Sequence, residues 1–208
     1  MPPGFKAVSS WRREQSPILI LVQMNNDDLK TEADLLIHRC GLPELLASYA
    51  GWFIGGSYSY DLMCWRDLDV YVLDPGRDLK RCFEIGYELT ERLGAFKARF
   101  TNNCGRVQEG PDGFYWGIKL GDNRKGAWKL DLWFLDQADY EEHAAYSSRL
   151  RDRLTTESRS IILTIKEALW RRPEFRVSIT SDMIYRAVLD EDVKTVAEFE
   201  AFVQNKLT

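Results

Sequence analysis

The segment "DLDVYVLD", residues 67–74, constrains this chain more than any other. Successive side chains of a β-strand point to opposite faces, so Leu68, Val70 and Val72 fall on one side and Asp67, Asp69 and Tyr71 on the other. The apolar side demands a core. The polar side carries two carboxylates, one residue apart, at the start of a strand otherwise built for burial. An ionised carboxylate taken out of water costs on the order of several kcal/mol unless something compensates it. An isolated Asp-x-Asp is most often a solvated strand edge or a capped turn.

A later strand supplies a partner that a solvated edge would not need. In "AWKLDLWFLD", residues 127–136, Leu130, Leu132 and Phe134 share one face, and Lys129, Asp131 and Trp133 share the other. Adjacent strands lie about 4.8 Å apart, so Asp131 is placed to complete a site with Asp67 and Asp69. Hard oxygen ligands of this kind suit Mg²⁺ or Mn²⁺ better than zinc. Ahead of the first strand stands Gly56-Ser57, a turn whose backbone can approach an anion and whose following helix offers free N–H groups; Ser57 is expected as the N-cap. Lys129 and Arg66 are the basic residues nearest the carboxylates, expected either to neutralise a triphosphate or to form surface salt bridges. Asp61 reads as an exposed helix residue and Asp74 as turn chemistry. Trp52, Trp65, Trp116 and Trp128 read as core, and Trp133 is the best candidate for stacking because it alternates with Asp131.

Around these strands the pattern is α+β. Helical spacing runs from residue 17 to Cys40, Gly41 is a stop, and Pro43 opens a short helix. "GWFIGG" reads as a brief buried strand, residues 77–93 as a helix stopped by Gly94, and "AFKARFT" and "GFYWGIKL" as two more strands. "GDNRKG" suits a hairpin between the last two strands. From Tyr140 the chain reads as helix to Arg171, broken by Pro173, with two short helices following, the second capped by Thr195. This gives a mixed sheet of about five strands, divided as a tail over 1–15, a core over 16–139 and a helical region over 140–208 packed on it.

With 208 residues, 28 basic against 32 acidic, the net charge of −4 weighs against gripping a long nucleic acid, although a local basic patch stays open. The four cysteines form no C-x-x-C pair, and two histidines, His38 and His143, are too few for a zinc cage. Free thiols, no export signal and an apolar run at residues 18–22 far too short to span a bilayer give the cytoplasm as the expected address, with no membrane partner.

Ile54-Gly55-Gly56-Ser57, then Asp67-Leu68-Asp69, then Asp131 in "WKLDLWF" resembles the nucleotidyltransferase superfamily that shares the DNA polymerase β type palm, over about residues 30–135. The resemblance implies a nucleotidyltransferase-like core in which Asp67, Asp69 and Asp131 hold two Mg²⁺ ions and Gly56 and Ser57 hold nucleotide phosphates. It implies an NTP substrate, ATP being the expected one, and a hydroxyl acceptor, a small molecule or protein, that attacks the α-phosphate and releases pyrophosphate. Asp131 would help to deprotonate the acceptor. Two departures leave the subfamily open: no basic residue follows Ser57 until Arg66, and Asp69 and Asp131 are far apart in sequence. Two alternatives also remain, a non-catalytic nucleotide-binding or interaction module of the same fold and, ranked lower, an Asp-x-Asp glycosyltransferase.

Overall fold

The computed structural model describes residues 25–106 and 110–207. The expected tail over 1–15 and the start of the helix expected from residue 17 lie outside them. Helix α1 runs Asn26–Cys40, opened by an Asn25 capping box and closed by Gly41 in the left-handed conformation. Helix α2, Leu42–Leu46, has the expected proline in its first turn. Strand β1, Trp52–Ile54, is half-buried rather than buried, because it forms one edge of the sheet. Then come α3 (Gly56–Tyr60), β2 (Asp67–Leu73), α4 (Leu79–Leu93), β3 (Lys97–Asn102), β4 (Gly113–Lys119) and β5 (Lys129–Leu135).

The five strands lie in the order β1-β2-β5-β4-β3. Only β2 and β5 pair in parallel; the other neighbours are antiparallel, so the sheet is mixed. Strand β2 alternates as its sequence requires: Leu68, Val70 and Val72 are fully buried, while Asp67, Asp69 and Tyr71 are half-buried. Each such aliphatic side chain removed from water contributes roughly 1.5–3 kcal/mol. They pack with Leu130, Leu132 and Phe134 of β5 and with residues of α1 and α4 in one apolar cluster.

The C-terminal region differs from its sequence reading in one respect. The expected continuous helix from Tyr140 to Arg171 is two helices, α5 (Gln137–Arg153) and α6 (Thr156–Leu169). Thr155 and Ser158 exchange capping-box hydrogen bonds at the break, and satisfying backbone donors there stabilises a new helix start. Helix α5 also begins before residue 140, on an Asp136 cap. Helices α7 (Ser181–Asp190) and α8 (Val196–Leu207) follow, and the Thr195 hydroxyl accepts from the Glu198 N–H as expected. These helices build a second apolar cluster, into which Tyr60, Leu62, Cys64 and Trp65 insert from the segment preceding β2.

Candidate active site

Parallel pairing of β2 with β5 sets Asp69 directly beside Asp131, and Asp67 beside Lys129. All four side chains therefore emerge on the sheet face turned away from the first apolar cluster. Gly56 approaches the same carboxylates from above. Its φ is +59°, and a Cβ at this position would lie 2.0 Å from Asp69 Oδ2. The Gly55 N–H donates to the Asp69 carbonyl at 2.8 Å, which pins the turn to the strand. Ser57 is buried in the first turn of α3; Gly55, not Ser57, is the N-cap residue. With only five residues, α3 has little macrodipole, so any anion here would depend on the local N–H groups and the Ser57 hydroxyl.

The carboxylates have distinct partners. Asp131 is 8% exposed and accepts from the Tyr115 hydroxyl at 2.5 Å and from the Lys129 ammonium. Gly117 stands opposite Asp131 on β4, and a Cβ there would come within 2.5 Å of the Tyr115 oxygen, so this glycine opens the way for that hydroxyl. Asp67 Oδ2 accepts from the Trp65 indole N–H at 3.1 Å. Asp67 Oδ1 is buried without a hydrogen-bond partner among the described residues, with the Lys129 ammonium 3.9 Å away. The Arg176 guanidinium, from the loop before α7, stands 3.8 Å from Asp67 Oδ2.

Crowding carboxylates out of water shifts the protonation of Asp69 and Asp131. Burial first, then the charges of Asp67 and Asp131, pushes Asp69 up to about 8. Burial and Asp67 also raise Asp131, against the opposing pull of Lys129. For Lys129, burial favours the neutral amine, but Asp67 and Asp131 outweigh it and hold the ammonium above its ordinary value.

A divalent cation is the natural complement. Among the described residues no three Asp, Glu, His or Cys side chains form a ready cation cage, and the Lys129 ammonium lies between Asp131 and Asp67 instead. The donors nonetheless fit a hard ion: all are carboxylates, one buried oxygen lacks a partner among the described residues, and burial, followed by the charges of Asp67 and Asp131, raises the proton affinity of Asp69.

Asp67, Asp69, Gly56 and Ser57 line a cleft of about 390 Å³, roofed by α5 and α7. Asp131 lies at its side, covered by Lys129 and Tyr115. Arg66 is not brought into the cleft. Residue 66 faces opposite to Asp67, and its guanidinium is held by Glu32 at 2.6 Å and the Gly126 carbonyl at 3.1 Å. Trp133 packs on Tyr115, with ring centroids 4.5 Å apart. Asp61 ends α3 in the left-handed conformation and pairs with Lys30, whereas Asp74 accepts from the Asp78 N–H in the turn after β2.

Several cleft residues carried no sequence signal. His143, Tyr146 and Ser147 reach it from α5, and Ser181, Asp182 and Tyr185 from α7. His143 stacks on Tyr71 at 4.7 Å, and burial lowers its proton affinity. Lys166 of α6 is fully buried, donates to the Leu62 carbonyl at 2.6 Å and to the Tyr185 hydroxyl at 3.2 Å, and is pushed down to about 8 by burial. The 143/146/147 spacing fits one helix face, but a shared face does not mark its chemistry.

The fold has counterparts among solved structures. A cytoplasmic RNA terminal U-transferase superposes over 80% of this chain and 47% of its own, with TM-score 0.50 and 18% identity. The chain has the nucleotidyltransferase fold. The Cid1 poly(U) polymerase with Mg 3′-dATP bound (69% of this chain, 42% of that one, TM-score 0.44, 18% identity) and CdnC of E. coli MS115-1 in its HORMA-deltaN complex (88%, 65%, 0.45, 15%) are weaker likenesses. The chain spans less than half the length of the U-transferase and of the poly(U) polymerase. No protein-family model and no curated protein matches it. Among the described residues no helix is long and apolar enough to cross a membrane.

Proposed function

We propose that this protein transfers a nucleoside monophosphate from an NTP to a hydroxyl acceptor, with release of pyrophosphate. The observation that carries the proposal is the juxtaposition of Asp69 with Asp131 on parallel strands, with Asp67 on the same face and Gly56 packed against Asp69. In this reading Gly56 and Ser57 bind the triphosphate, and Lys129, already charged and within reach, helps to neutralise it. Asp67, Asp69 and Asp131 hold Mg²⁺ or Mn²⁺, two ions by family resemblance. A bound ion would neutralise charge developing on the α-phosphate and on departing pyrophosphate.

The acceptor oxygen forms a bond to the α-phosphorus as the bond from that phosphorus to the bridging pyrophosphate oxygen breaks. The hydroxyl proton passes to Asp131, whose burial raises its affinity for a proton. Helices α5 and α7 wall one side of the cleft. ATP is the NTP assigned, a small molecule or a protein the acceptor, and the cytoplasm the setting. The test is a screen of NTPs and acceptors followed by pyrophosphate release: release dependent on divalent cation and abolished by Asp69→Asn is expected. Release of a nucleoside diphosphate from sugar nucleotides would point to the glycosyltransferase alternative instead.

Lys129 favours a second reading. Its ammonium pairs with Asp131 and approaches Asp67, as a built-in cation would in a module that binds nucleotide without turning it over. Calorimetric titration of ATP with and without chelator separates the two. Binding that is indifferent to metal, with no pyrophosphate release, supports the module.

A further inference from the structure

A second cavity of about 190 Å³ lies between α5 and α7, next to the carboxylate cleft. Tyr146, Arg149, Asp182 and Tyr185 line both spaces, so the two are immediate neighbours. The Tyr146 hydroxyl donates to Asp182 at 2.6 Å between the two helices and marks the boundary. The second cavity's character is the reverse of the first. Its lining holds three guanidinium groups, Arg149, Arg153 and Arg186, against the single carboxylate of Asp182.

Arg149 and Arg153 are one turn apart on α5 and so share a face. Arg153 is held by Asp190 at 2.5 Å and by the Leu189 carbonyl at 3.0 Å. Arg149 and Arg186 are exposed and make no ion pair or hydrogen bond among the described residues. Two unengaged guanidinium groups on facing helices are suited to a phosphate, which accepts from such planar forks in pairs. Leu150, Leu189 and the Tyr185 ring give the same space an apolar floor.

We infer that this cavity binds the acceptor substrate through a phosphate group, and that the acceptor is a phosphorylated molecule whose hydroxyl is presented to the carboxylate cleft. The inference rests on the nucleotidyl-transfer reading for the word acceptor, but phosphate binding does not. Transfer chemistry needs two substrates; the Gly56 side of the cleft serves the NTP, and the arginine side is a separate basin that shares a wall with it. A polynucleotide phosphodiester and a small phosphorylated metabolite present the same chemistry.

The full chain is titrated with three probes: a fluorescent 5′-phosphorylated hexa-adenylate RNA, glucose 6-phosphate, and glucose as the control without phosphate. At least one phosphate probe is expected to bind, with affinity falling as salt rises, while glucose does not. Arg186→Ala, an exposed site, is expected to weaken that binding about tenfold, with Arg186→Lys intermediate and MgATP affinity within about twofold of the parent. Arg149→Ala/Arg186→Ala is expected to weaken it about a hundredfold. Preference for the RNA or for the sugar phosphate identifies the source. Binding of neither phosphate probe, binding unchanged in the double variant, or equal loss of MgATP and probe in Arg186→Ala would each overturn the inference. If instead the arginine dependence holds and no NTP is ever consumed, the transfer reading fails and the phosphate site stands.

Discussion

A methyl group on Gly56 would lie 2.0 Å from Asp69 Oδ2 and would sit on a backbone at φ +59°. Gly56→Ala is therefore expected to cost roughly 1–2 kcal/mol from backbone strain alone and to displace Asp69, read as a lower Tm together with lost transfer activity. Asp67→Asn and Asp69→Asn are expected to lower transfer by on the order of 10²–10³-fold or more with far-UV circular dichroism unchanged; wild-type turnover in both would refute the site. Asp69 also sets a pH dependence, since burial first and then Asp67 and Asp131 push it up to about 8. Its folded pKa exceeds its unfolded value, so the folded protein binds the extra proton between roughly pH 4 and pH 8. The stabilisation is complete below the unfolded value and is lost as pH rises through the folded one. The metal-free Tm should fall from about pH 5 to about pH 8.5, Mg²⁺ should raise it more at the higher pH, and Asp69→Asn should flatten the curve. A metal-free Tm that ignores pH equally in both proteins contradicts this account. At this scale Asp67, Asp69 and Asp131 were legible from alternation, and of the two readings left open for Arg66 the structure shows the ion pair. Its side chain belongs to the face opposite Asp67, where Glu32 holds it.

Among the elements, β2 and β5 were readable because each has one strictly apolar face, and a one-residue slip would have turned those faces to solvent. The join between α5 and α6 was not. Apolar spacing continues across it, and the break depends on reciprocal hydrogen bonds between Thr155 and Ser158 that compete only weakly in a sequence reading. Thr155→Ala is expected to destabilise by about 1 kcal/mol through loss of the cap, measured by chemical denaturation. A stability unchanged by this substitution would mean that packing alone holds the α6 start.

At the scale of the whole molecule, two apolar clusters meet through one short segment. Met63 belongs to the sheet cluster, and Tyr60, Leu62, Cys64 and Trp65 belong to the helical one. Lys166 of α6 ties the Leu62 carbonyl to Tyr185 of α7 across the same junction. Such interleaving couples the clusters, so the protein is expected to unfold in a single transition, with tryptophan fluorescence and far-UV circular dichroism superimposing. Separate transitions would show that the helical cluster melts on its own. The same junction lays α5 and α7 over Asp67 and Asp69, which turns an acidic strand face into a cleft.

Alternation along two short strands was enough to put Asp67, Asp69 and Asp131 on the polar faces of their own strands, because a two-residue period and an apolar core leave each side chain one face to occupy. That those strands are neighbours was decided by the tertiary pairing. What surrounds those carboxylates was decided only in three dimensions. Tyr115 reaches Asp131 through the space left at Gly117, Arg176 approaches Asp67 from a distant loop, and the tyrosines and arginines of α5 and α7 converge from segments dozens of residues apart. Local patterns fix the direction in which a side chain leaves its own element. Which other elements stand in front of it depends on long-range packing, to which no local period corresponds.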